Sequence, residues 1–166
     1  PDSFHQCCAD PITCPGPLMW KADIVASGGF DTSLPCAQER DLHIRMACLG
    51  YRFQHFPESL VTVRRRSGSV SSNLLRVLDQ HKAIVMKGHR ILLERHAATD
   101  DRLRALAGVL ARDARTYLRF GETAKAADYF SSARKIHPDG GLGLAYSRRA
   151  RALCRILGPR ITENLV

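Results

Sequence analysis

No apolar run in this chain approaches the ~18 residues that a membrane-spanning helix needs, so no spanning helix is expected within it. No charged-then-apolar leader follows the first residue, Pro1, and the sequence is therefore expected to be a piece cut from something longer. The six cysteines, Cys7, Cys8, Cys14, Cys36, Cys48 and Cys154, include no Cys-x-x-Cys pair. "HQCC" followed by Cys14 invites a zinc reading, but adjacent cysteines suit tetrahedral ligation poorly. Free thiols in a reducing cytosol are the reading adopted. Aromatic residues are sparse, at 7% with one tryptophan, and the basic residues are not interleaved with them. With no recognition motif either, the net charge of +9 does not make this a nucleic-acid binder, and no nucleic-acid partner is expected.

What is present is enough for a packed core: 45% hydrophobic residues over 166 positions is ordinary for a globular protein and argues against global disorder. The charge is unevenly placed. Residues 1–73 carry seven basic and seven acidic side chains, whereas residues 74–166 carry eighteen against nine. Such asymmetry argues for two units with different roles, divided near 73/74.

The first unit has mixed texture. Residues 1–17 hold four prolines and read as loop or extended chain. A short strand is expected around Leu18–Trp20, then a turn or two of helix ended by Gly28–Gly29. From Gln38 the positions Leu42, Met46 and Leu49, with Ile44 and Cys48 alongside, approximate helical spacing, and Gly50 supplies the stop. "YRFQHF" and "SLVTVR" read as two short strands around Pro57–Glu58, followed by the basic, Gly/Ser-rich "RRRSGSVSSN".

Beyond Asn73 no strand pattern remains, and helices are expected at about 74–96, 101–119, 123–136 and 142–157. Within 101–138, Ala114, Tyr117, Gly121, Ala126, Phe130, Ala133 and Pro138 stand at the small-aromatic-Gly-Ala-aromatic-Ala-Pro offsets of a tetratricopeptide-like helix pair. Small residues let two antiparallel helices approach while the aromatics fill the space between them. One such repeat cannot build a binding groove, because several must stack.

Residues 16–73 resemble the C-terminal half of the catalytic domain of a family 2 glycosyltransferase. The resemblance rests on an ordered set: "PLMWKADIVASGGFDTSL", "QERDLHIRMACLGYRF" and "FPESLVTVRRRSGSVSS". The family has an apolar strand and short helix, a "GGFD" turn, an acidic pair before "DLxxR", then "GYRF" and "P-x-x-LV-x-x-R". The fold implied is α/β, a partial GT-A, Rossmann-like piece over 1–73, followed by an all-α tail over 74–166.

The resemblance implies transfer of a sugar from a nucleotide-diphosphate donor to an acceptor hydroxyl with inversion. A hydroxyl is a poor nucleophile, so a carboxylate must take its proton as the new bond forms. Aligning on "DLHIR" puts Glu39 at the family's base position, one methylene longer than the usual aspartate, with Asp41 the alternative in a shifted register. Without the resemblance, both acids simply favour a helix N-terminus. The same transfer assigns substrate contacts to Gly29, Phe30, Asp31 and Gln38. It also makes Arg64 and Arg66 candidates for clamping the departing diphosphate through charge-assisted hydrogen bonds.

The family's nucleotide-binding half and its Asp-x-Asp motif have no counterpart in the sequence, nor does the Gln-x-x-Arg-Trp motif of processive synthases. Single-sugar transfer is therefore expected, with this fragment inactive alone. A divalent metal, Mg or Mn, is implied for the full-length enzyme, with ligands outside this fragment. The implied partners are a nucleotide-sugar donor and a glycan or lipid-linked acceptor. The cytoplasm is the expected location, with a peripheral position at the inner membrane surface considered for the basic tail. The alternative is a non-catalytic helical protein-interaction module of a larger protein.

Overall fold

The computed structural model describes residues 3–9, 12–13, 15–64, 68–69 and 72–163. Every regular element among them is a helix: α1 (Ser3–Ala9), α2 (Lys21–Ala26), α3 (Gln38–Cys48), α4 (Leu74–Glu94), α5 (Asp100–Arg119), α6 (Thr123–Ile136), α7 (Leu142–Ala145), α8 (Arg148–Leu157) and α9 (Pro159–Glu163). The α/β expectation for 1–73 is therefore overturned. Residues 18–20 and 51–64 form no ladder, although their composition suits strands. A strand exists only when a neighbour takes its N–H and C=O groups, and no described segment lies beside these as a partner. Leu18, Trp20, Phe56, Leu60, Val61 and Val63 are accordingly exposed rather than packed on a sheet face.

The chain divides into two compact units, Pro1–Ala97 and Ala98–Val166, rather than near 73/74. Helix α4 accounts for the difference: its charge resembles that of the later helices, but it packs on α3. Asn73 caps it, its side-chain oxygen accepting from the Arg76 N–H at 3.1 Å. In the first unit α3 is central, with α1 on one side and α4 on another. Helix α1 occupies a stretch expected to be loop. The prolines lie outside Ser3–Ala9, which instead offers Phe4, Cys7 and Cys8 to the core. The five described cysteines are buried.

Glycine sets the two turns that bracket α3. Gly28 (φ 87°) follows α2 and Gly50 (φ 97°) follows α3, a backbone region closed to most side chains. At each, crossed bonds of the Schellman type end the helix, as in Gly50 N–H to Ala47 O at 3.1 Å and Tyr51 N–H to Met46 O at 3.0 Å.

In the second unit α5 and α6 are joined by three residues and pack along their length, which forces them antiparallel. Ala114, Ala126 and Ala133 are buried between them with Tyr117 and Phe130. Tyr129, which the repeat spacing did not single out, meets the Tyr117 ring edge-on at 5.0 Å. Ala126→Leu should overpack this seam and cost about 1–3 kcal/mol in a denaturant melt. An unchanged midpoint would show that the two helices do not meet there.

The helix expected at 142–157 is interrupted. Tyr146 is extended, and Ser147 caps α8 by accepting from the Ala150 N–H at 3.3 Å. The Arg115 guanidinium donates to the Ala145 carbonyl and lies 4.3 Å from the Tyr146 ring centre, so the break is held by tertiary contacts.

His137 closes the helix pair. Its Nε2 lies 2.9 Å from Asp100 and its Nδ1 2.8 Å from Asp139, with Arg104 beside both acids. Burial works to lower its pKa, but the two carboxylates outweigh it and the value is raised above the ordinary 6.5. A raised folded-state pKa gives stability that is full below the unfolded value and lost as pH rises through the folded one. Thermal melts from pH 5.5 to pH 8.5 should therefore show a loss in the native chain that His137→Gln lacks. Equal slopes for the two would remove His137 as the cause.

Candidate functional site

Helical spacing from Gln38, with two acids at the helix start, leaves open how far α3 is enclosed. In the structure every residue from Arg40 to Cys48 is buried, including Arg40, Asp41, His43 and Arg45. Such polar groups are tolerated only when paired or hydrogen-bonded. Asp41, with a side-chain exposure of 0%, lies 2.8 Å from Arg45 on its own helix and 2.8 Å from Lys87 of α4.

These two cations carry the link outward. The Arg45 guanidinium donates to the carbonyls of Ser27 and, at 2.6 Å, Gly29, which pins the glycine turn at the end of α2 onto α3. Lys87 continues to Asp31 at 2.6 Å. Asp31 in turn accepts from the Ser33 N–H at 3.0 Å and the Ser33 hydroxyl at 2.6 Å, which closes a local turn. The Lys87 ammonium, followed by the Ser33 donors, holds the Asp31 carboxyl far below the usual carboxylate range. Burial acts to lower the Lys87 pKa, but the hydrogen bonds and charges of Asp31 and Asp41 raise it overall, so it stays an ammonium. A single network thus joins "GGFD", "DLHIR" and the fourth helix.

Glu39 is placed differently. It is half-buried, and no hydrogen bond or ion pair holds it among the described residues. With Phe30, Asp31, Thr32 and Gln38 it lines an open cleft of about 340 Å³. Gln38 braces the approach by donating to the Leu34 carbonyl at 2.8 Å. Ala37, just before the helix, sits at φ 61°, a left-handed conformation that costs a non-glycine residue about 1–2 kcal/mol. The chain thus enters α3 through a strained residue directly beside the cleft. His43, one turn after Glu39, is turned inward. Burial lowers its pKa against the opposing pull of the Glu39 charge, and its ring packs edge-on against Phe53 at 5.6 Å.

Of the residues singled out in the sequence, Phe30, Asp31, Gln38 and Glu39 share this cleft, and Gly29 stands behind it as an acceptor for Arg45. Asp41 is inside the protein rather than in the cleft. Arg64 is exposed and lines neither this cleft nor the larger groove, and Arg66 lies outside the described residues. Sequence reasoning missed Thr32, Arg45 and Lys87. The i,i+4 spacing of Asp41 and Arg45 was the available signal for Arg45. Asp31 has no basic residue close in sequence, but that does not say which of the distant lysines answers it.

A larger groove of about 810 Å³ runs between residues 16–20 and 51–63. Its lining is mainly apolar and includes neither Glu39 nor Asp31, so size gives it no claim to the same chemistry. Among the described residues no three His, Cys, Asp or Glu side chains converge as a metal would require. The residues present do not fit the implied Mg or Mn, and no step below runs through a metal. No protein-family model, curated protein or solved structure matches the chain.

Proposed function

We propose that this chain is the acceptor-side part of a nucleotide-sugar-dependent glycosyltransferase, with Glu39 as the base. The observation that carries the reading is the contrast between two acids one helical half-turn apart. Asp41 is fully enclosed and engaged by two cations, so no substrate can reach it. Glu39 lines a cleft and is held by no hydrogen bond or ion pair among the described residues. A general base needs that access and that freedom. The reading requires no sheet in this chain, because the carboxylate is presented by a helix start.

In the reaction, an acceptor hydroxyl oxygen attacks the anomeric carbon of the donor. The bond from that carbon to the diphosphate oxygen breaks, and the diphosphate leaves with the electron pair. The hydroxyl proton passes to the Glu39 carboxylate. Asp31, fixed by Lys87 and Ser33, offers a placed acceptor for a sugar hydroxyl, and the partly exposed ring of Phe30 offers an apolar face. Arg64 is the described cation proposed to meet the departing diphosphate. The donor-binding groups belong to parts of the protein beyond these residues, and the cytoplasmic location belongs to the same proposal.

The test is single-turnover sugar transfer by the complete gene product over a panel of nucleotide-sugar donors and glycan or lipid-linked acceptors. Transfer that depends on Glu39 supports the reading. A folded protein that transfers nothing across the panel overturns it.

A further inference from the structure

A second surface, independent of the cleft, stands out in the last two helices. From Gly140 to Thr162 the chain has five arginines and no acidic residue. Ala150 and Cys154 of α8 are buried and define its inner face. At 100° per residue, Ala152 and Ile156 then face outward, with Arg148 and Arg155 on one flank and Arg149 on the other. The exposure agrees: Arg148, Arg149, Ala152, Arg155 and Ile156 are all open to solvent, Ile156 at 78%. Helix α9 extends the same character, with Arg160 and Ile161 outward while buried Thr162 anchors it by donating to the Gly158 carbonyl at 2.9 Å.

From this surface we infer a docking site for an anionic lipid bilayer, which α8 and α9 meet lying in the plane of the headgroups. Charge complementarity selects the occupant. Guanidinium groups pair with lipid phosphates and carboxylates, and the isoleucines between them reach the acyl boundary. A nucleic-acid backbone would satisfy the arginines but leave Ile156 and Ile161 in water, and the surface has no exposed aromatic ring on which a base could stack. No helix among the described residues is long and apolar enough to cross a membrane, so the contact is peripheral.

The experiment is co-sedimentation of the full chain with phosphatidylcholine vesicles, with or without about one-third phosphatidylglycerol. Binding is expected to the anionic vesicles alone, weakening as salt screens the arginines. Each basic residue at such a surface accounts for roughly fivefold in affinity, so R148Q/R149Q/R155Q should weaken binding about 100-fold. I156S/I161S, with its charge intact, should also bind more weakly. All five positions are exposed, and thermal melts check that folding survives. Undiminished binding by I156S/I161S, equal binding to neutral vesicles, or tighter binding to a DNA or RNA duplex than to anionic vesicles would each overturn the inference.

Discussion

Glu39→Gln should slow sugar transfer by the complete gene product about 10²–10⁴-fold while leaving its melting temperature unchanged. That loss corresponds to about 3–5 kcal/mol of barrier. Glutamine keeps the length and hydrogen-bonding shape of the side chain but cannot take the acceptor's proton. The native fold should not notice, because no described residue depends on the Glu39 carboxylate for an ion pair or hydrogen bond. Single-turnover transfer with a melt as control separates chemistry from folding. Near-normal transfer by this variant would remove Glu39 as the base and leave the proposed function without its main support.

Asp41→Asn should show the opposite pattern, with a loss of stability of about 3 kcal/mol. Removing one partner of a buried ion pair typically costs 3–5 kcal/mol, because the other charge is left enclosed and uncompensated. Here Arg45 retains the Ser27 and Gly29 carbonyls, and Lys87 retains Asp31 and has 26% of its side chain exposed. These remaining contacts put the expected cost at the low end of the range. Urea titration of the full chain measures it through the midpoint. Lys87→Met should cost less, since Asp41 would still hold Arg45. If Asp41→Asn left stability intact and slowed transfer more than Glu39→Gln did, the two acids would have exchanged roles.

The two variants test a distinction that the linear sequence holds only in part. "QERDLHIR" shows two acids at a helix start, and the register of the resemblance favours Glu39 without deciding against Asp41. The decision comes from enclosure: α1 and α4 pack around α3 so that position 41 points inward and position 39 meets the cleft. Neither packing helix was expected to do this. The prolines around α1 suggest loop, and the charge of α4 groups it with the later helices.

By itself the sequence determined the features that act within a few residues. Glycine stops at Gly28 and Gly50, the helical periodicity beyond Asn73 and the spacing of small and aromatic residues from Ala114 to Ala133 each work within one or two turns of chain. They therefore place α2, α3, α4, α5 and α6 within a few residues of their observed bounds. Only the tertiary structure decided what depends on distant neighbours. Residues 51–64 have strand composition, yet a strand needs a partner beside it, and none among the described residues supplies one. Asp31 finds its cation 56 residues away in Lys87, a pairing set by how α4 lies on α3. Caps and periodicity are local interactions, readable along the chain. Strand pairing and buried ion pairs are settled only when separate segments meet and exclude water.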